Sequence, residues 1–176
     1  IRHMYDFMCI TYSLEHKNRY FYKNEHSTQI MKIARLKIEN FRGIKECEWH
    51  FDGHSVLVGD NNVGKSTILE AIDLTMGPDR LSKYPVIDEH DFYAGEYLLG
   101  ETCVDIKVEV LVIELTDEQT RRFSSHLEWW NVAERKLVEE ASKVGDENVV
   151  AALRVEFRGL YDKDEDDFVC NTYFCN

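Results

Sequence analysis

Positive charge is scarce in this sequence. Its 176 residues include 21 Lys and Arg against 33 Asp and Glu, which gives a formal net charge of −12. Binding to DNA depends largely on Lys and Arg side chains that neutralise phosphates. The chain is therefore predicted to bind little nucleic acid by itself, and the basic surface for any DNA partner is expected elsewhere.

Paired cysteines and long apolar runs are missing as well. The five cysteines are odd in number and form no Cys-x-x-Cys pair: Cys9, Cys47, Cys103, Cys170 and Cys175. This usage indicates reduced thiols rather than a disulfide framework or a metal cluster. No apolar run approaches the length of a membrane span, and the N-terminus lacks a basic-then-apolar secretion pattern. We expect a soluble, cytoplasmic protein that makes no membrane contact.

The first thirty residues differ in character from the rest of the chain. Residues 1–30 are rich in Tyr, His and Asn and show weak periodicity, whereas Met31 opens the regular pattern MKIARLKIENF. We interpret residues 1–30 as an N-terminal extension of uncertain origin and residues 31–176 as the domain itself. The alternative is that the extension adds a strand and a helix that pack on the domain.

Alternating apolar residues predict the first strands of the domain. Apolar and charged residues alternate across residues 34–39 and again across residues 47–51, which predicts two strands, and we expect these to pair antiparallel. Residues 56–58 are apolar without alternation, as in a strand that is buried on both faces. Helical spacing follows from Gly64 to Met76, and Gly77-Pro78 is expected to end that helix.

The second half of the chain predicts further strands and helices. Alternation indicates a long strand from Cys103 to Leu115. A capping box at 116–119 predicts a helix with Phe123, Leu127 and Trp130 as its apolar stripe. Asn131 is expected to cap another helix that ends at Gly145. The last predicted elements are strands at 153–157 and 168–175, joined by the acidic turn 162–167.

The stretch SVLVGDNNVGKSTILEAIDL, residues 55–74, carries the clearest chemical signal. Its segment from Gly59 to Ser66 matches the phosphate-loop pattern G-x-x-x-x-G-K-[S/T]. The glycines let successive backbone N–H groups turn toward phosphate oxygens, and the following helix adds the positive end of its dipole. Lys65 supplies a mobile cation for the β- and γ-phosphates, while the Ser66 hydroxyl is a ligand for Mg²⁺. The predicted ligand is a nucleotide with Mg²⁺, and the absence of the Asn-Lys-x-Asp motif that reads guanine argues against GTPases.

The sequence resembles the ABC-type ATPase heads of RecF, SMC and related DNA-maintenance proteins. In those heads an opening strand of the pattern K-I-x-x-L-x-I-x-N-F-R-G precedes the loop, as in Lys32 to Gly43 here. The chain is still more similar to ATP-dependent nucleases of the overcoming-lysogenization-defect (OLD) family, in IENFRGIKECEWHFDGHSVLVGDNNVGKSTILEAIDLTMGPDRL, IDEHDFYAG and HLEWWN. The resemblance implies an α/β P-loop NTPase fold, namely the N-terminal lobe of an ABC-type ATPase with a mixed or antiparallel sheet around the Walker A helix.

The resemblance also assigns roles to single residues. Arg42 would contact the nucleotide phosphates or base, and Asp91 would join Ser66 near the metal. The alternatives are a surface charge at a strand end for Arg42 and a solvated turn for Asp91. His90 is expected at the surface, and Trp130 in the core. The residues expected to wrap the phosphates are Asn61, Asn62, Val63, Gly64, Lys65, Ser66 and Thr67.

Two parts that ATP hydrolysis in such heads requires are not visible. The sequence has no LSGG-like segment and no later apolar strand that ends in Asp-Glu, and Val110–Glu114 only mimics the latter. The nuclease module of OLD proteins is missing too. The chain is therefore predicted to be the N-terminal part of an ATPase head that forms homo-oligomers through its heads and acts on DNA only in the complete protein. The alternatives are a stand-alone nucleotide-binding or interaction module and a small P-loop kinase.

Overall fold

The computed structural model describes residues 31–52, 55–58, 64–77, 86–138 and 146–175. The predictions for residues 1–30, for Gly53, for Pro78 and for the segment 139–145 lie outside these ranges. In chain order the helices and strands are β1 (Lys32–Phe41), β2 (Ile44–His50), α1 (Lys65–Met76), β3 (Leu98–Leu99), β4 (Thr102–Cys103), β5 (Ile106–Ile113), α2 (Asp117–Arg122), β6 (Leu127–Asn131), β7 (Lys136–Val138), β8 (Val149–Asp162) and β9 (Asp167–Phe174). Short 3-10 turns lie at Glu89–Asp91, Tyr93–Gly95 and Ser124–His126.

Seven strands form one sheet in the order β2-β1-β5-β8-β6-β7, and β9 also pairs with β8. Every pairing recorded among these strands is antiparallel. The long strand β8 organises this arrangement, because one of its edges pairs with β5 while the other pairs first with β6 and then with β9. The small pair of β3 and β4 stands apart from the main sheet.

The two faces of the sheet have different characters. One face carries the main core, in which α1 covers the inward side chains of β1, β5 and β8; its buried members include Leu36, Ile38, Ile68, Ala71, Val108, Val110, Val155 and Phe157. The other face carries charged residues and a smaller apolar cluster of Ala34, Leu111, Trp130 and Ala152. Successive strand side chains point to opposite faces, and a register shift between Ile33 and Arg35 interrupts this alternation at Ala34.

Several sequence-based predictions are confirmed. Strands β1 and β2 pair antiparallel, with Leu36 opposite Trp49. Helix α1 ends at Met76, and the Gly77 N–H donates to the Asp73 carbonyl at 2.6 Å. A Cβ on Gly77 would lie only 2.5 Å from that carbonyl oxygen, which explains the glycine there. The strands on either side of the acidic turn are also present, as β8 and β9.

The prediction of a buried strand at residues 56–58 is wrong. Residues 55–58 have no strand assignment, and Val56 and Val58 are 83% and 89% exposed. A strand buried on both faces needs hydrogen-bonded neighbours and cover on both sides. None of the strands among the described residues pairs with this segment, so Val56 and Val58 remain in solvent, while Leu57 is partly buried against the main core.

The first of the two helices predicted after the capping box is present but shorter than expected, and the second is replaced by β7 in the described residues up to Val138. The box itself is present, with the Gln119 N–H donating to the Thr116 hydroxyl at 3.2 Å and the Thr116 N–H to the Gln119 side chain at 2.8 Å. However, α2 stops at Arg122, and residues 127–131 instead form β6 along an edge of β8. Aromatic side chains favour such pairing, and helical spacing in a short apolar run cannot be distinguished from it.

Asn131 illustrates why the second helix was predicted. Its side-chain oxygen accepts from the backbone N–H groups of Ala133 and Glu134 at 3.0 and 2.9 Å. This is the hydrogen-bonding chemistry of a helix cap, used here to close the turn between β6 and β7. The predicted strand from Cys103 to Leu115 is likewise shorter, because β4 ends at Cys103 and β5 runs only from Ile106 to Ile113.

Disulfide bonds and membrane-spanning helices are both missing from the part of the chain that the structure describes. None of the described cysteines, Cys47, Cys103, Cys170 and Cys175, forms a disulfide bond. In the part of the chain that the structure describes, no helix combines the length and the apolar character needed to cross a membrane.

Candidate functional site: the start of helix α1 and the Arg42 turn

Helix α1 begins at the lysine of the phosphate-loop pattern. Gly64 stands at its N-cap with φ of 86°, a left-handed conformation that favours glycine. No side chain caps this end, and no acidic residue lies in the first turn. The first N–H groups of a helix lack intrahelical acceptors and, with the helix dipole, attract anions. The phosphate-loop pattern thus leads into a helix end whose first turn carries no acidic side chain.

The side chains of the pattern lie at this end of α1. Ser66 is exposed, and Lys65 and Thr67 are partly exposed. Ile68 and Ala71 turn inward and anchor α1 on the sheet, which fixes the direction of its first turn. Asn61, Asn62 and Val63 lie outside the described residues, so their predicted role as phosphate ligands stays a prediction.

Arg42 occupies the turn between β1 and β2. Its φ of 48° is left-handed, as is the φ of 55° at Asn40 near the end of β1, so two non-glycine residues adopt this conformation at the turn and the strand end before it. The Arg42 Nε donates to Asp91 Oδ1 at 2.8 Å, and its Nη1 donates to Glu70 on α1. The structure therefore brings Arg42 and Asp91 into direct contact and places both beside α1.

Asp91 is buried and held from several directions. Its side chain is 8% exposed, and its Oδ2 accepts from the Asp88 N–H at 3.1 Å within a capping box of the 3-10 turn. The Asp91 carbonyl accepts from the Arg42 N–H at 2.8 Å, and Phe41 and Phe92 form a β-bridge next to this contact. Both carboxylate oxygens thus already have donors, so a metal ion would have to replace one of them. The metal role of Asp91 stays a prediction.

The charge of Arg42 is stabilised where it lies. Partial burial lowers the pKa of Arg42, but the hydrogen bond and charge of Asp91, together with the charge of Glu70, outweigh that effect and raise the pKa above its ordinary value. The Arg42 side chain is 35% exposed, so part of it is accessible from solvent. Arg42 is therefore a permanent cation that is partly accessible.

Other sequence candidates lie apart from this site. The His90 side chain is 86% exposed, and Trp130 is 2% exposed in the smaller apolar cluster, as expected. Glu114, which ends the segment that mimics an acidic metal-binding strand, pairs with Lys32 at 2.7 Å. The acidic run forms the exposed turn between β8 and β9.

One group of possible metal ligands does come together among the described residues. Ligand atoms of Glu109, Glu156 and Cys175 lie within 4.8 Å of one another. Glu109 is already paired with Arg35 at 2.6 Å and with Arg154 at 3.3 Å. Burial, above all, raises the pKa of Cys175 to about 12, and a thiol must lose its proton to bind a metal. We therefore assign no metal to this group.

Sequence reasoning missed Glu70 and Asp88. Glu70 pairs with Arg42 across 28 positions of the chain, and the sequence contains no signal for that contact. Asp88 caps the 3-10 turn that carries Asp91, and the pattern Asp-x-x-Asp is a sequence signal for such a capping box.

Comparison with known proteins shows which family this chain belongs to. The model of a family described as the AAA ATPase domain matches residues 31–169. The DNA double-strand break repair Rad50 ATPase of Methanosarcina acetivorans is 33% identical over 142 residues, which is 78% of this chain and 12% of that protein. The Rad50 ATPase of Methanopyrus kandleri is 47% identical over 65 residues, covering 36% of this chain and 7% of the relative.

A shorter stretch of the chain is similar to a second group of proteins. The DNA replication and repair protein RecF of Mannheimia succiniciproducens is 51% identical over 43 residues, which is 24% of this chain and 12% of that protein. The chain thus spans only 7% to 12% of the length of these curated relatives.

Proposed function

Because the chain belongs to the AAA ATPase domain family, we propose that it binds ATP with Mg²⁺ at the start of α1. The observation that carries this proposal is the position of Gly64 and Lys65: the phosphate-loop pattern meets an uncapped helix N-terminus without acidic residues in its first turn. A triphosphate would supply the negative charge that this end lacks. Nucleotide binding is also what the family description implies.

Each residue of the site has a proposed task. The backbone N–H groups from Asn61 to Thr67 surround the phosphates, and the Lys65 ammonium contacts the β- and γ-phosphates. Ser66 offers its hydroxyl to Mg²⁺, which when bound would neutralise part of the phosphate charge. Arg42 presents its accessible part to the phosphates. Asp91 remains a second candidate near the metal, at the cost of one of its present hydrogen bonds.

We propose further that this chain alone hydrolyses ATP poorly. The sequence has no LSGG-like segment and no apolar strand that ends in Asp-Glu. The one segment that mimics such a strand belongs to β5 in the antiparallel sheet, and its Glu114 is engaged by Lys32. A water that attacks the γ-phosphate would therefore lack a general base.

In the complete protein, we propose, ATP joins two such heads and controls access of DNA to a nuclease module. Support comes from the relatives, which are named as DNA repair and replication proteins, and from the sequence resemblance to OLD nucleases. A ligand shifts an equilibrium between open and joined heads only if it contacts the two states differently. On this proposal residues 31–176 are the N-terminal part of the head and residues 1–30 an extension, which the intact mass of the native protein would test.

Calorimetric titration of the 176-residue chain with ATP and Mg²⁺ tests the central proposal. We expect saturable binding that Lys65→Ala weakens by about tenfold or more, because a charge-assisted contact to phosphate is lost. Lys83→Ala is a matched control, since it removes the same charge outside the motif. No binding by the folded parent would contradict the proposal, as would equal binding by the Lys65→Ala variant.

A second measurement addresses turnover and the nuclease proposal. The chain should release negligible phosphate from ATP under conditions in which it binds the nucleotide. Steady hydrolysis that Lys65→Ala abolishes would refute this expectation. For the complete protein, cleavage of DNA that requires both ATP and a divalent cation would support the OLD assignment, and ATPase activity without any cleavage would refute it.

A further inference from the structure

Two carboxylates hold the guanidinium of Arg42, and their surroundings differ. Asp91 binds Nε at 2.8 Å and has a side chain that is 8% exposed. Glu70 binds Nη1 from helix α1 and has a side chain that is 47% exposed. The same cation is therefore shared between a buried partner and a solvated one.

The Asp91 contact is fixed by neighbouring hydrogen bonds. Asp91 Oδ2 accepts from the Asp88 N–H at 3.1 Å, and the Arg42 N–H donates to the Asp91 carbonyl at 2.8 Å. The adjacent Phe41–Phe92 bridge joins the same two segments. A carboxylate held at both ends has little freedom to release the guanidinium, so Asp91 determines where Nε stays.

The contact between Glu70 and Arg42 is weaker than that between Asp91 and Arg42, because the Glu70 side chain is more exposed to water. Glu70 lies on an exposed side of α1, five residues after Lys65, which corresponds to about 7.5 Å along the helix axis. Exposed ion pairs contribute little because water screens them and long side chains lose freedom in forming them. An incoming triphosphate carries more charge than one carboxylate and could take Nη1 from Glu70.

We propose that these two carboxylates act on nucleotide binding in opposite directions: Asp91 positions Arg42 for the triphosphate, and Glu70 competes with the triphosphate for the same guanidinium. This inference rests on the proposed function. Asp91 is a positioning residue that acts through Arg42, and Glu70 is an internal substitute for phosphate that nucleotide must displace.

A double-mutant cycle on the 176-residue chain, titrated with ATP and Mg²⁺, tests the inference. Glu70→Gln should tighten binding about twofold to fivefold, which is the range of an exposed ion pair. Asp91→Asn keeps the size of the side chain and should weaken binding about tenfold, because a charge-assisted hydrogen bond to Nε is lost. Glu118→Gln is the matched control for removing one exposed negative charge on a helix remote from the site.

The same changes in an Arg42→Ala background separate positioning from structural damage. There, Glu70→Gln and Asp91→Asn should each alter binding less than about twofold, since their common target is absent. A structural role of Asp91 in its capping box would persist in that background and would overturn the inference. Weaker binding by Glu70→Gln than by the parent would also overturn it, and this result needs only the exposed Glu70 variant to fold.

Different results would refute ATP binding and the roles of Asp91 and Glu70. If the folded parent shows no binding of ATP and Mg²⁺, the proposed function fails and the inference fails with it. If the parent binds and Lys65→Ala does not, but both carboxylate variants shift affinity in the same direction, only the roles of Asp91 and Glu70 are refuted.

Discussion

The antiparallel sheet and the segment that leads toward α1 differ in how completely their apolar residues are covered. Val110 and Phe157 in the sheet are fully buried, whereas Val56 and Val58 are 83% and 89% exposed. The sheet satisfies its backbone through pairing and packs a continuous core, while residues 55–58 have no strand assignment and only Leu57 among them packs against that core. Stability is therefore expected to lie in the sheet and in the face of α1 that covers it, whereas the exposed residues Val56 and Val58 and the exposed side chains at the start of α1 add little to it. Stability and binding should therefore respond to different substitutions.

The largest loss of stability is expected in the sheet core. Phe157 on β8 is completely buried, and Phe157→Ala should lower the free energy of unfolding by about 3–5 kcal/mol through lost burial and a cavity. Urea denaturation measures this change. Leu69→Ala on α1 is the control, because Leu69 is 63% exposed and should cost far less. Equal losses for the two variants would contradict the expectation that the buried sheet core contributes more to stability than exposed positions do.

A smaller loss is expected on the charged face of the sheet. Arg154 donates to Glu128 at 2.8 and 2.9 Å and to Glu109 at 3.3 Å, and its side chain is 24% exposed. Arg154→Met should cost about 1–3 kcal/mol, because partly buried carboxylates lose their donor. Lys136→Met, which breaks an exposed pair with Glu134, should cost under about 1 kcal/mol. Thermal unfolding of both variants separates these values, and a neutral Arg154→Met would show that this face does not contribute.

The N-terminal cap of α2 should contribute less to the free energy of unfolding than the contacts of Arg154 do. Thr116→Ala removes the hydroxyl that accepts from the Gln119 N–H, and should lower the free energy of unfolding by about 1 kcal/mol. Thr116→Ser keeps that hydroxyl and should stay within about 0.5 kcal/mol of the parent. Chemical denaturation that ranks the serine variant no better than the alanine variant would contradict the assigned cap.

The smallest effect is expected at the exposed segment. Val58→Thr should change the free energy of unfolding by less than about 0.5 kcal/mol, since most surface substitutions fall within that range. The same substitution at Val110, which is fully buried in β5, should cost about 1–3 kcal/mol because it buries a hydroxyl. Denaturation of this matched pair sharpens the comparison directly. A large loss from Val58→Thr would mean that residue 58 is covered.

Whether a part of the fold could be predicted depends on how far apart along the sequence its interacting residues lie. Period-two alternation identified β1, β2 and β8, and the Thr116 capping box was found from four adjacent residues, because both signals are local. The strand β6 was mistaken for a helix because only the edge of β8, some twenty residues later, decides its conformation. The strand expected at 56–58 failed for the same reason, since apolar composition cannot supply a pairing partner.

The candidate site divides in the same way. The phosphate-loop pattern and the α/β P-loop ATPase fold class could be predicted from the sequence, and the family match confirms that class. Arg42 and Asp91 were chosen by resemblance, yet nothing in the sequence indicated that they contact each other. Glu70 could not be found at all, because its role arises from the packing of α1 beside the Arg42 turn.

Hydrogen exchange of the backbone amides, with and without ATP and Mg²⁺, tests the central claim most directly. We predict that nucleotide slows exchange in peptides that contain Gly64 to Thr67 and the Arg42 turn, and leaves exchange in β5 and β8 unchanged. Protection confined to the sheet, or no change at the start of α1 at saturating nucleotide, would contradict the assignment of the site.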